Sequence, residues 1–169
     1  MNEPLYISAS QPDWTREELC KGRYEPWKRL LAVIRRYQRI KAGQGIRLYL
    51  PFLVMLHRFW SAVCGADIPL NSKLGGGLIL THPNGIVIHP DARIGVNCLI
   101  LQQVTIGVGT VPGLPIIGGQ VDIGVGAKIL GGIHIGDHAK IGANSVVLHD
   151  VPAGATAVGI PAKILMRKD

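Results

Sequence analysis

The chain is poor in charge, in aromatic rings and in cysteine. Asp, Glu, Lys and Arg make up only 17% of its 169 residues, and Phe, Trp and Tyr 5%. With so few rings the interior must be narrow and filled by Ile, Val and Ala, and the 47% apolar content suffices for one domain with a continuous core. Cys20, Cys64 and Cys98 are odd in number and widely spaced. They form no CxxC pair, which points to a reducing compartment and leaves Cys98 as a small core residue. No apolar run long enough to span a bilayer and no signal peptide is present, so a soluble, cytoplasmic protein is expected. The aromatic-plus-basic pattern of a nucleic-acid module is also missing, which argues against nucleic acid despite a net charge of +7. Much of the basic excess lies between Lys28 and Lys41. That segment suits either packing against the rest of the domain or peripheral contact with an anionic membrane at its inner face.

What the chain has in place of these is a period of six. Aliphatic residues recur at Ile88, Ile94, Ile100 and Ile106, and again at Ile123, Ile129, Ile135, Ile141 and Val147. A small residue follows each in units such as Ile94-Gly95-Val96-Asn97-Cys98 and Ile135-Gly136-Asp137-His138-Ala139. Six is neither the helical period nor the alternation of a simple strand. It fits short strands joined by tight turns, three to a triangular coil, with the coils stacked into a parallel β-helix. The 22 glycines fit the many turns this requires.

Residues 1–65 read as a helical segment: a loose arm over 1–12, helix over 13–41 with a restart at Pro26, and a second helix over 50–64. Residues 66–152 read as the β-helix, of roughly four coils. An early set of hexads, Ile68, Leu74 and Leu80, is out of phase with the later set, so the turn Thr81-His82-Pro83-Asn84-Gly85 carries a two-residue insertion. A second break, 108–120, reads as a projecting loop. Residues 153–169 read as a cap over the open end, followed by a basic tail.

An insertion in a strict repeat breaks a local rule, and such breaks concentrate at functional sites. His82 lies in one. Histidine can take a proton from an alcohol or amine near neutral pH, provided a carboxylate fixes its tautomer. Asp67 precedes His82 by nearly the length of a coil, so the two could lie side by side one coil apart. Lys128, Lys140 and Lys163 could meet phosphates. His134 and His138 are a poor match to a metal site, so no metal is expected.

These residues resemble the serine acetyltransferase branch of the hexapeptide-repeat acyltransferases. The likeness covers about residues 66–165. It is carried by Asp67-Ile68, His82-Pro83-Asn84-Gly85-Ile86-Val87, Gln103-Val104-Thr105-Ile106-Gly107, Gly126-Ala127-Lys128-Ile129-Leu130-Gly131, Lys140-Ile141-Gly142-Ala143-Asn144-Ser145-Val146-Val147 and Gly159-Ile160-Pro161-Ala162-Lys163. The resemblance implies a left-handed β-helix, acetyl-CoA as co-substrate, and a homotrimer with active sites between subunits. It makes His82 the general base and Asp67 the carboxylate that orients it. It places Gly107, Val108, Val125 and Ala143 along the CoA arm, with Lys140 and Lys163 near it.

Two positions depart from that branch. Thr81 stands where an Asp precedes the catalytic His, and Leu114 stands where an Arg-His pair ends in the projecting loop. The branch's large N-terminal helical domain is also replaced, by the short segment 1–65. The departures remove groups that hold serine. The expectation is therefore an O-acetyltransferase acting on a sugar hydroxyl in surface-polysaccharide assembly, with a sugar or glycan acceptor. Serine O-acetylation, as in cysteine biosynthesis, is the alternative. A zinc carbonic anhydrase type of β-helix and a non-enzymatic scaffold are further readings.

Overall fold

Short parallel strands wind into a three-faced prism. The structure, a computed structural model, describes residues 7–166. The first half of the expected arm and the tail residues Arg167 and Lys168 lie outside that range. One face stacks β1 (Lys73–Leu74), β4 (Arg93–Ile94), β7 (Ile116–Ile117) and β10 (His134–Ile135). The second stacks β2 (Ile79–Leu80), β5 (Leu99–Ile100), β8 (Asp122–Ile123) and β11 (Lys140–Ile141), and then a closing antiparallel hairpin of β13 (Thr156–Gly159) and β14 (Ala162–Leu165). The third stacks β3 (Val87–Ile88), β6 (Thr105–Gly107), β9 (Lys128–Leu130) and β12 (Val146–Val147), with Asp67 bridged to Val87 at its start.

The second residue of each hexad strand points inward. On the third face Ile68, Ile88, Ile106, Ile129 and Val147 form one buried column. Burying such columns away from water supplies the main drive for folding, at about 25 cal/mol per Å² of apolar surface. The turns let the coils stack closely. A methyl group on Gly75 or Gly95 would overlap the backbone of the next coil, at Gly95 and Gly118 respectively. Only glycine permits that approach.

Rungs on the third face fall at Asp67, Val87, Thr105, Lys128 and Val146. The steps from Val87 to Thr105 and from Lys128 to Val146 are equal and set the regular coil. The step from Asp67 to Val87 is longer by two, which is the insertion around His82. The step from Thr105 to Lys128 is longer by five, and the surplus projects between Val108 and Pro115. The break is thus shorter than the expected 108–120, because Ile116–Ile117 pairs with both β4 and β10 and Ile117 is only 2% exposed. Flanking Pro115, Gly118 and Gly119 make that strand look like loop in the sequence.

The expected restart at Pro26 is present, but ahead of it only a short turn forms where helix was expected from 13. A 3-10 turn spans Trp14–Glu17, capped by the Asp13 carboxylate, and α1 spans Pro26–Lys41. Between them Gly22 takes a positive φ of 79°, and Pro26 starts α1 where its missing N–H costs nothing. Leu30, Leu31 and Ile34 of α1 plug the open end of the prism. Buried Arg35 donates to the carbonyls of Leu74 (2.7 Å) and Gly75 (2.6 Å) and pairs with Glu17 at 2.8 Å. Gln38 of α1 donates to Leu70 and Ser72. From α2 (Leu50–Cys64), His57 Nε2 donates to Ile68. Residues 8–16 run along one corner of the prism, where buried Asn97 donates to Ser8 and Gln11 and accepts from the Asp13 N–H.

Gly95→Ala is expected to lose about 1–3 kcal/mol by overpacking, read by urea unfolding. Gly154→Ala, which meets nothing within 4 Å but sits at φ 70°, should lose about 1 kcal/mol at most. Burial pushes the Cys64 and Cys98 thiols up from 9.0 to about 11. A thiol reagent at about pH 8 should therefore label Cys20 and spare both buried thiols. The same shifts favour the neutral thiol in the folded chain, so stability is full below 9.0 and falls as pH rises toward about 11.

Candidate active site

The inserted turn departs from its neighbours in one backbone feature. At the corner between the second and third faces, each coil has one residue of positive φ: Gly85, Gln103, Gly126 and Asn144. At that corner the inserted turn alone holds a second, His82, at φ 51°. A non-glycine residue in that region is strained and stays there only when its surroundings hold it. They do so here: Gly85 N–H donates to Gly65 at 2.7 Å, Ile86 N–H to Pro83, and Gln103 N–H to Asn84. The Gln103 side chain also donates to Asn84 Oδ1 at 2.9 Å. Buried Pro83 anchors the turn, while His82 itself is exposed.

Asp67 opens the third face beside this turn. Its N–H donates to Ile86 at 2.8 Å and its carbonyl accepts from Ile88 at 3.0 Å. The residues after His82 and the residues around Asp67 are thus knit together by backbone bonds. The side chains of His82 and Asp67 do not hydrogen-bond to each other among the described contacts, and both carry exposed surface.

A cleft of about 290 Å³ runs from Asp67 over the third face to the base of the projecting loop. It brings Asp67 together with Gly107 and Val108, and His82 is not among its walls. Thr105, Leu130 and His89 are also among its walls, and His89 is not among the residues that the sequence marks as a site. His89 Nδ1 accepts from the Asp91 N–H at 3.2 Å, so neutral His89 carries its proton on Nε2 and offers a donor rather than a base. Its signal in the sequence is its place one regular coil before Gly107.

The remaining candidates lie across the third face from Gly107 and Val108, with Val125 and Ala143 at the same corner as the His82 turn. Val125 and Ala143 follow the second face in successive coils, and Asn144 N–H donates to Val125 at 2.7 Å. Lys140 is exposed on β11, whose neighbour β13 pairs Val158 with exposed Lys163. Lys128 is committed elsewhere: its Nζ donates to the Gln103 carbonyl (2.5 Å) and to Thr105 Oγ1 (3.1 Å). Gly107 and Val108 therefore stand at one edge of the third face and Val125 and Ala143 at the other, while Lys140 and Lys163 lie on strands of the second face. In the projecting loop Leu114 is half-buried, and Val111–Gly113 rests on Gly131 and Gly132. Among the described residues no three His, Cys, Asp or Glu side chains converge on one point.

No family model matches the chain. It is 43% identical over 118 residues to the serine acetyltransferase of Helicobacter pylori, covering 68% of this chain and 67% of that protein. It is 44% identical over 106 residues to the serine acetyltransferase of Synechococcus elongatus, covering 61% of this chain but only 43% of that one. Among solved structures, a serine acetyltransferase in complex with CoA superposes with a TM-score of 0.70 at 36% identity, over 84% of this chain and 57% of its own. The serine acetyltransferase of Neisseria gonorrhoeae in complex with serine gives 0.70 at 40% identity, over 84% and 57%. The chain thus spans about half the length of most of the relatives it matches.

These likenesses overturn the sugar acceptor and the polysaccharide pathway expected from Thr81 and Leu114. The relatives that match across the β-helix are named for serine. The two departures sit in an inserted turn and a projecting loop, where residues vary while the scaffold stays. Two loop positions are a weaker guide to the acceptor than the whole prism.

His82→Ala and Asp67→Asn replace exposed side chains with no described hydrogen bond of their own. Each is expected to keep stability within about 0.5 kcal/mol of the parent in urea unfolding.

Proposed function

The chain belongs to the serine acetyltransferase family of hexapeptide-repeat, left-handed β-helix acyltransferases, and from that premise we propose that it transfers acetyl from acetyl-CoA to the hydroxyl of L-serine. One observation carries the site assignment: the insertion at one corner of the prism puts His82 in a strained, exposed turn tied by backbone bonds to the Gly65–Asp67 segment. The likeness to a serine acetyltransferase in complex with CoA, and to another in complex with serine, supports the choice of donor and acceptor.

In this reading His82 takes the proton from the serine hydroxyl as its oxygen attacks the thioester carbonyl carbon. The new C–O bond forms, the tetrahedral intermediate collapses, and the C–S bond breaks. The CoA sulfur leaves with the pair and is protonated by the His82 imidazolium, so the base returns to its starting state. Asp67 stabilises the imidazolium between those two events. No acyl-enzyme is formed. Holding both substrates in one cleft supplies the rate that a bimolecular encounter lacks.

The CoA arm is assigned to Gly107 and Val108 at one corner of the third face and to Val125 and Ala143 at the other, with Lys140 and Lys163 beyond them on the second face. A face of the prism separates these sets within one copy. A neighbouring subunit that lays its corner against this face joins them, which supports a homotrimer with its sites between subunits. A cytoplasmic location, with one surface resting on the inner face of the membrane, completes this reading.

The test is thiol release from acetyl-CoA with L-serine as acceptor. The parent chain is expected to release CoA in proportion to serine. His82→Ala should lower kcat by about 10²–10⁴-fold, the usual worth of a general base. Asp67→Asn should lower kcat with little change in the KM for serine. Release that is independent of serine, or undiminished in His82→Ala, overturns the assignment.

A further inference from the structure

The outer surface of the two helices has no role in the site described above. Leu48, Phe52, Met55, Phe59 and Val63 follow each other at steps of four, three, four and four, and so form one stripe along α2 and its approach. The stripe is exposed: Leu48 85%, Phe52 54%, Met55 61% and Phe59 56%. The opposite side of α2 packs on α1 through Leu53, against Val33 and Ile40. A cavity of about 610 Å³ opens between the helices beside the stripe, walled by Ala32, Val33, Leu53, Leu56 and Trp60. Arg29 and Arg36 stand among its walls, with the Arg29 guanidinium 5.4 Å from the Trp60 ring centre.

The charge on this unit has one sign. Between Pro26 and Ala66 the chain has eight Lys or Arg and no Asp or Glu. Two of the eight are buried and spoken for: Lys28 by Glu25 and the Glu18 carbonyl, Arg35 by Glu17 and two carbonyls. The other six, Arg29, Arg36, Arg39, Lys41, Arg47 and Arg58, are exposed. A second copy docked on this face would bring cations against cations with no carboxylate on either helix to pair them. An anionic interface with an apolar interior matches both features at once. No helix among the described residues is long and apolar enough to cross a membrane, so the fit is to a surface.

We propose that the α1–α2 hairpin rests on the surface of an anionic lipid bilayer. The Leu48–Phe52–Met55–Phe59 stripe enters the interface, the exposed arginines meet lipid phosphates, and acyl chain ends fill the cavity between the helices. This deepens the membrane location proposed above and is independent of which acceptor takes the acetyl group.

The experiment is co-sedimentation of the full chain with vesicles of phosphatidylcholine alone and with about 30% phosphatidylglycerol added. Binding to the anionic vesicles is expected to exceed binding to the neutral ones by about tenfold or more, and to fall when salt rises from about 0.05 to 0.5 M. Phe52→Ser with Phe59→Ser, and separately Arg36→Glu with Arg58→Glu, should each lower binding by about tenfold or more. Both variants should keep the parent's circular dichroism, its mass by light scattering and its thiol release with serine. Equal binding to both vesicle types, or none, overturns the proposal. So does a Phe52→Ser, Phe59→Ser protein whose mass falls, which would make the stripe a contact between copies. Should that variant unfold, the arginine pair decides by itself. Absence of vesicle binding with serine-dependent release intact condemns this proposal and the membrane location it deepens but leaves the catalytic reading, and the reverse condemns only the catalytic reading.

Discussion

A stack of parallel coils has two open ends, and the first coil has no coil beneath it to receive its backbone bonds. Buried carbonyls without donors cost free energy, so the lowest rung must be closed before the prism is stable. Here side chains close it. The Arg35 fork reaches two carbonyls of the first coil, Gln38 reaches two more, and His57 takes a fifth. Glu17 neutralises Arg35 and accepts from the Leu78 N–H on the next corner. The same helix drives Leu30, Leu31 and Ile34 into the hole. A bidentate, charge-assisted pair in a partly buried place is strong in proportion to the charge it leaves behind if broken. Register in every later coil follows from this first one, since each parallel strand pairs with the strand one coil before it.

The site grows out of the same regularity by breaking it. A regular coil has one left-handed residue at this corner, whereas the lengthened first coil has two. The surplus forces a second left-handed residue into one turn, and that residue is His82. The larger surplus, at the next corner, makes a loop that leans on Gly131 and Gly132 and forms one end of the cleft. Paired strands of the third face run between the two breaks and set their spacing. Catalytic groups on loops are useful only when the scaffold beneath them does not move.

Charge in this chain is divided by purpose. Lys28 and Arg35 hold the cap, Lys128 is bound to the corner at Gln103, and Lys73 pairs with Asp91 on the surface, lowering that carboxyl. Exposed Lys140 and Lys163 stand beside the proposed CoA arm. The two helices and the turn between them carry six further exposed Lys or Arg alongside exposed Phe and Met. A basic composition by itself says nothing of this division, which depends on which cations meet carbonyls and carboxylates in the folded chain.

The sequence by itself determined the prism and its singular turn. A six-residue period is local, since each strand and turn repeats the same short pattern, and an insertion shows as a slip in phase at His82. It did not reveal the strand at Ile116–Ile117, because prolines and glycines on both sides carry the signal of a loop while the pairing that makes it a strand comes from β4 and β10. Nor did it weigh the acceptor correctly from Thr81 and Leu114. Only the tertiary structure decided that residues 8–16 lie against Asn97, that Lys28 and Arg35 turn inward while Arg29 and Arg36 stay exposed, and that the proposed CoA residues are spread over two corners of the third face and the adjoining second face. These relations join residues far apart in the chain, such as Ser8 and Asn97, and chain stacking rather than local pattern brings them together.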